Sequence, residues 1–140
     1  RATAEGVGGA TGNIHFSAVA LVQNRRGIAD ALRAGPYAQP ALIPASPWLA
    51  REPVPAAPQV SISPAPGETV RITLTPGTGA KPRRWVIWAR YGETWRMAMT
   101  EASKEVPLRS RTSAGELNAV AASAADAFWR TSAPTVLTRP

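Results

Sequence analysis

The stretch TVRITLT, residues 69–75, alternates Val70, Ile72 and Leu74 with Arg71, Thr73 and Thr75. Successive side chains of an extended strand leave on opposite faces, so the alternation predicts a strand with one apolar and one polar face. The flanking sequence repeats this pattern. QVSIS (59–63) puts Val60 and Ile62 on one side, and the intervening PAPGE (64–68) is turn chemistry. PGTGAKP (76–82) is a second turn and leads into RRWVIWARYGETWRMAMT (83–100). There Trp85, Ile87, Ala89 and Tyr91 make one face, and Val86, Trp88 and Arg90 the other. Gly92-Glu93 predicts a turn before Trp95, Met97 and Met99. EVPLRS (105–110), NAVAASA (118–124) and PTVLT (134–138) complete the series. About seven short strands at this spacing predict a β-sandwich of roughly 80 residues, its core formed by the inward half of each strand.

Upstream the pattern changes. Pro53, Pro55 and Pro58 in AREPVPAAPQ (50–59) favour an extended, stiff connection. They place a linker at 51–57, between a first region at 1–50 and the sandwich at 58–140. RATAEGVGGATG (1–12) is small and Gly-rich, with little to bury, and is expected to be a mobile end. Residues 13–17, NIHFS, read as a strand with Ile14 and Phe16 on one face and His15 and Ser17 on the other. A helical stretch is expected over 18–22, broken near Gly27 and resumed with Ile28 and Leu32 on one face; Gly35-Pro36 stops it. The tail PYAQPALIPASPWL (36–49) then has Leu42, Ile43, Trp48 and Leu49 to bury. One strand, one helix and a tail are half a layer, not a domain. With Arg1 first and no Met before Met97, the chain reads as a fragment of something longer.

The formal net charge is +7, and Lys81 and Lys104 are the only lysines among sixteen basic residues. A basic excess suits nucleic acid or anionic surfaces. However, no run is denser than Arg25-Arg26 or Arg83-Arg84, so nucleic acid is not expected as a partner. The absence of cysteine rules out disulfides and thiolate metal sites. No stretch approaches the length of a membrane span.

Two segments resemble a known family. NIHFSAVAL…GIADALRAGPYAQPALIPASPW resembles the end of the catalytic barrel of bacterial family 10-like glycosyl hydrolases; the resemblance covers residues 13–49, and Ala31 to Trp48 is its specific part. There the last barrel strand carries a similar His-Phe-Ser, followed by an Ala-Leu helix and a Pro-Ala-Ser-Pro-Trp tail. WVIWARYGETW (85–95) and VAASAADAFWRTSAP (120–134) look like strands of the fibronectin type III-like module that ends many such proteins. Where that module has an Asp-Arg-x-Gly-Asn turn, this chain reads Asp126-Ala127-Phe128-Trp129-Arg130, without the Gly and Asn. The resemblance implies a mainly β chain: a fibronectin III- or immunoglobulin-like sandwich preceded by a strand–helix remnant of a (β/α)8 barrel. It also implies a parent in the cell envelope or secreted.

In a barrel, active sites form at the C-terminal ends of the strands, so His15 and Ser17 would line a sugar-binding cleft or else pack in the barrel interior. Glycoside hydrolysis needs two carboxyl groups flanking the bond. The first region and linker contain only Glu5, Asp30 and Glu52, and Asp30 reads as a solvated helix-surface charge. The chain is therefore expected to be non-catalytic. One His without clustered carboxylates builds no metal site, and no cofactor is expected. GVGGATG (6–12) lacks the lysine of a phosphate-binding loop and follows no strand.

Tryptophan is used five times, and indole rings stack on sugars. Trp85 fits the core pattern, Trp95 and Trp129 stand near turns, and Trp48 is expected to anchor the tail. Trp88, on the face opposite the core, is the candidate platform for glycan or cell-wall polysaccharide; the alternative is plain packing. The expectation is an accessory module of a glycosyl hydrolase-like protein, able to self-associate through its apolar tail. The alternative is a self-contained binding or adhesion module.

Overall fold

The computed structural model describes residues 17–139. The chain divides into two compact units, with the break between Ala41 and Leu42.

In the first unit, α1 spans Ala18–Val22 and α2 spans Ile28–Ala34, with a turn of 3-10 helix at Arg25–Gly27 between them. The break falls where the sequence places it. Asn24, Arg26 and Gly27 all take positive φ, which ends one helix and redirects the chain into the next. The Asn24 side chain accepts hydrogen bonds from the Ala29 and Asp30 amides, at 2.9 and 3.3 Å, serving the otherwise free donors of the first turn of α2. The Gly35 amide closes α2 onto the Ala31 carbonyl at 3.0 Å, and Pro36 follows. Among the described residues of this unit only Ala29 is buried. Residues 13–16 of the expected strand lie outside the described residues. Ser17 is extended (φ −114°, ψ 156°) and leads into α1.

The second unit is mainly β. Its strands are β1 (Gln59–Ala65), β2 (Thr69–Thr75), β3 (Arg84–Tyr91), β4 (Thr94–Glu101), β5 (Glu105–Arg109), β6 (Arg111–Thr112), β7 (Gly115–Ala125) and β8 (Thr135–Thr138). The two-residue β6 is the addition to the seven expected. One antiparallel sheet runs β1-β2-β5; the other runs β4-β3-β7, with β6 and β8 also pairing to β7. The inner faces meet in one core. Val70, Ile72, Leu74 and Val106 come from the first sheet, and Trp85, Ile87, Ala89, Tyr91, Leu117, Val120, Ala122 and Ala124 from the second. This is the inward half of each strand that period-two alternation selects.

Two polar pins tie the core to its surroundings. The Trp85 indole N–H donates to the Ser103 carbonyl at 2.7 Å, and the Tyr91 hydroxyl to the Arg109 carbonyl of β5 at 3.0 Å. Burial raises the Tyr91 pKa above its ordinary value, partly offset by Arg96 and Arg109. The raised folded-state pKa means that the stability from a neutral Tyr91 is complete below about pH 10 and is lost as pH rises beyond it.

The β3–β4 turn uses Gly92 at φ 56°, as a two-residue hairpin with a positive φ at its first central residue requires. A bulge follows in the β3–β7 pairing: Arg90 faces Ala119, whereas Tyr91 faces Leu117, leaving Asn118 as the extra residue. Without it Leu117 would share the face of Ala119. The bulge turns Leu117 into the core, at 2% exposure, and the Asn118 amide holds the kink by donating to the Gly92 carbonyl at 2.9 Å.

The division into compact units falls at Ala41/Leu42, so residues 51–57 group with the sheets. The Ser46 amide donates to the Phe128 carbonyl at 2.9 Å, Arg130 reaches the Pro53 carbonyl at 3.4 Å, and Thr135 Oγ1 donates to the Pro58 carbonyl. Pro55 and Pro58 are buried. Proline extends the chain but keeps its carbonyl as an acceptor, so a Pro-rich strap can be tied down from its C=O side. Gly77 permits the fit, because a Cβ there would meet the Ala57 carbonyl at 2.5 Å and the Ala56 Cβ at 2.9 Å. No helix among the described residues is long and apolar enough to cross a membrane.

Candidate functional site

The face of β3 turned away from the core carries Arg84, Val86, Trp88 and Arg90. Antiparallel register puts a partner for each on the same face of its neighbours. Met97 on β4 and Ala121 on β7 flank Trp88, and Val136 of β8 stands beyond Ala121. One row along, Trp95 faces Arg90, with Ala119 and Thr138 continuing that row. One row the other way, Val86 lies between Met99 and Ser123.

This face has two ends of different character. At the Arg84 end Val86, Ser123 and Ala125 are buried, and the Arg84 guanidinium lies 4.8 Å from the centre of the Trp129 ring. At the Arg90 end the face opens, with Trp95 at 41% exposure and Val136 at 55%. Trp88 is half-buried between them. Trp88 and Trp95 are diagonal neighbours, a spacing of about 7–8 Å that long aromatic side chains bridge. Arg90 is held beside them by Glu93, at 2.7 Å. Two indoles on a sheet, with a fixed guanidinium at their edge, form a surface that can stack on the apolar side of a ring while hydrogen-bonding its hydroxyls.

The sequence-derived candidates therefore fare differently. Trp88 occupies the face its alternation implies. Ser17 is half-buried in the first unit, and His15 lies outside the described residues. Asp30 is exposed in the first turn of α2, accepting from Asn24 Nδ2 at 2.6 Å and paired with Arg33 at 3.2 Å. Among the described residues no group of three or more His, Cys, Asp or Glu is placed to hold a metal. Trp85 is in the core as expected. Trp48 is a correction: its indole is 77% exposed, and the tail is instead anchored through the Ser46 amide and the buried Pro55. Trp95 is the residue that sequence reasoning missed as a companion to Trp88. Continuing the alternation through the two-residue turn, from Trp88 and Arg90 to Trp95 and Met97, is the signal that finds it.

The 126–130 turn is built around Asp126. Its carboxylate accepts from the Phe128 and Arg130 amides at 2.8 and 3.0 Å and from Arg130 Nε at 2.6 Å. Burial disfavours the charge, but these bonds from the Arg130 side chain and the two amides outweigh it and hold the carboxyl below the usual range. Trp129 sits at φ 61°, a conformation costly for a bulky residue. No protein-family model matches the chain, and no curated protein is significantly similar to it.

Proposed function

We propose that the sandwich at residues 58–140 forms a non-catalytic accessory module that contacts glycan or cell-wall polysaccharide through the open end of the β4-β3-β7-β8 face, with Trp88 and Trp95 as the stacking platform. The observation that carries this reading is the shared face of the two indoles, one half-buried and one at 41% exposure. A core does not need aromatic rings there. The finer fold assignment is a fibronectin type III-like sandwich, supported by three strands facing a path of four and by Trp129, whose φ of 61° stands at the position of the Gly in the resembled turn. On this proposal residues 1–50 are the last strand, helix and tail of a family 10-like glycosyl hydrolase barrel, and the parent belongs to the cell envelope or is secreted. The exposed Trp48 and Leu49 suit self-association.

The test is calorimetric titration with neutral glucose and N-acetylglucosamine hexasaccharides. Trp88→Ala and Trp95→Ala are expected each to weaken binding by about tenfold or more while circular dichroism is unchanged. Undiminished binding by both variants, or unfolding of Trp88→Ala, would contradict the platform. Turnover of either glycan by the chain would contradict the non-catalytic reading.

A further inference from the structure

A cavity of about 400 Å³, with neither Trp88 nor Trp95 in its lining, lies where three segments of the sheet unit converge. Its walls are the strap at Leu49–Glu52, the loop entering β3 at 80–83, and the 126–130 turn. The convergence is fastened by two backbone bonds, from the Ser46 amide to the Phe128 carbonyl and from the Arg83 amide to the Ala125 carbonyl at 2.8 Å, and by the Arg130 guanidinium donating to the Pro53 carbonyl. Arg51, Lys81 and Arg83 line this cavity from two of the segments.

Elsewhere in the unit Arg71, Arg84, Arg90 and Arg111 each have a carboxylate partner, while Arg96, Lys104, Arg109 and Arg139 have none among the described residues but do not share a cavity with one another. Within the cavity Asp126 and Arg130 neutralise each other in a nearly enclosed pair at 2.6 Å. Arg51, Lys81 and Arg83 have no ion-pair partner among the described residues, and only Glu52 stands against them in the lining. Three cations gathered around one concavity repel one another, and a bound anion relieves that repulsion. The remaining lining is apolar, with Leu49, Ala127 and half-buried Phe128.

We infer that this cavity binds an acidic saccharide, its carboxylate held by Arg51, Lys81 and Arg83 and its pyranose ring packed on Phe128 and Leu49. Guanidinium forks match a carboxylate with two parallel hydrogen bonds. An apolar wall beside the cations suits a charge carried on a ring rather than a bare inorganic anion. The cations are confined to one cavity of ligand size rather than drawn out in a stripe, which distinguishes this site from a groove tracking a phosphate backbone. The inference rests on the glycan reading for its ligand class and adds that the ligand is anionic and that the module has a second contact point.

The experiment titrates the full chain with a galacturonate hexasaccharide, a neutral glucose hexasaccharide, inorganic phosphate and a single-stranded oligonucleotide. Each is tested against the parent chain, Trp88→Ala, and the combined Arg51→Gln, Lys81→Gln and Arg83→Gln variant, whose changes are all at exposed positions. The expected result is galacturonate binding that weakens with salt and falls about tenfold or more in the triple variant. Neutral-glucan binding should be unaffected by the triple variant and weakened about tenfold or more in Trp88→Ala. Galacturonate binding unchanged in the triple variant, or absent from the parent chain, would overturn the inference while neutral binding left the glycan reading standing. Phosphate or oligonucleotide binding as tight as galacturonate, and lost in the triple variant, would overturn the saccharide assignment in favour of a general anion site. Failure of every saccharide to bind would remove both readings.

Discussion

The helical unit and the sheet unit both offer aliphatic side chains at regular spacing, yet they dispose of them in opposite ways. In α1 and α2, Val19 is 50% exposed, Val22 85% and Ile28 40%, and Ala29 is the one buried residue. In the sheets Ile72, Leu74, Trp85, Val86, Ile87 and Val120 are at 1% or below. Local signals are satisfied in both: helix stops, capping side chains and turn glycines stand where backbone geometry asks for them. Among the described residues, only within the sheet unit does one layer face another. Burial depends on a facing layer, and good local structure does not replace one.

That contrast can be tested by substitution. Trp85→Ala should have the largest effect, about 3–5 kcal/mol, because it empties a fully enclosed site and strips the Ser103 carbonyl of its donor. Urea unfolding followed by fluorescence and circular dichroism measures it. Asp126→Ala should cost about 3 kcal/mol by leaving Arg130 nearly enclosed and unpaired. The same residue sets an acid limit. Its folded-state pKa is depressed, so its contribution is complete above about pH 4 and is lost as pH falls through the folded value. Asp126→Asn should flatten the stability–pH curve in that acid range; an unaltered curve would show that the pair is not coupled to folding.

Gly77→Ala comes next, at about 1–3 kcal/mol, since its Cβ would drive into the backbone of the strap at Ala57. Protease cleavage within 51–57 should accelerate in this variant and be slow in the parent chain. A strap cut equally fast in both would restore the free linker expected from sequence. Ile28→Ala should be the mildest, below about 1 kcal/mol, because the side chain is 40% exposed. A cost comparable to Trp85→Ala would mean that the helical unit has a core of its own.

The strands were legible wherever large apolar and polar side chains alternate, as in TVRITLT and RWVIWARY, and there the inward residues were read correctly. Strand β7 was harder. NAVAASA shows its middle, but the strand runs from Gly115 to Ala125, and alanine and serine leave no contrast between faces. The bulge at Asn118 breaks the period itself. Alternation puts Val86 on the face of Trp88, but its burial depends on what covers that end of the sheet, which alternation does not encode. In the proline strap the stiffness is visible in composition, whereas the hydrogen bonds to proline carbonyls are not. Of the candidate site, Trp88 was visible as a single residue. Trp95 became its companion only through register, and the cavity lined by Arg51, Lys81 and Arg83 through tertiary convergence of segments some thirty to eighty residues apart.

Native-state hydrogen exchange on the intact chain compares the two units within one molecule. Amides of β3 and β7, at 84–91 and 117–125, should exchange only through global unfolding, whereas those of 18–34 should exchange through local opening orders of magnitude faster. Protection of 18–34 equal to that of β3 would contradict this, and would mean that the helices share one cooperative core with the sheets.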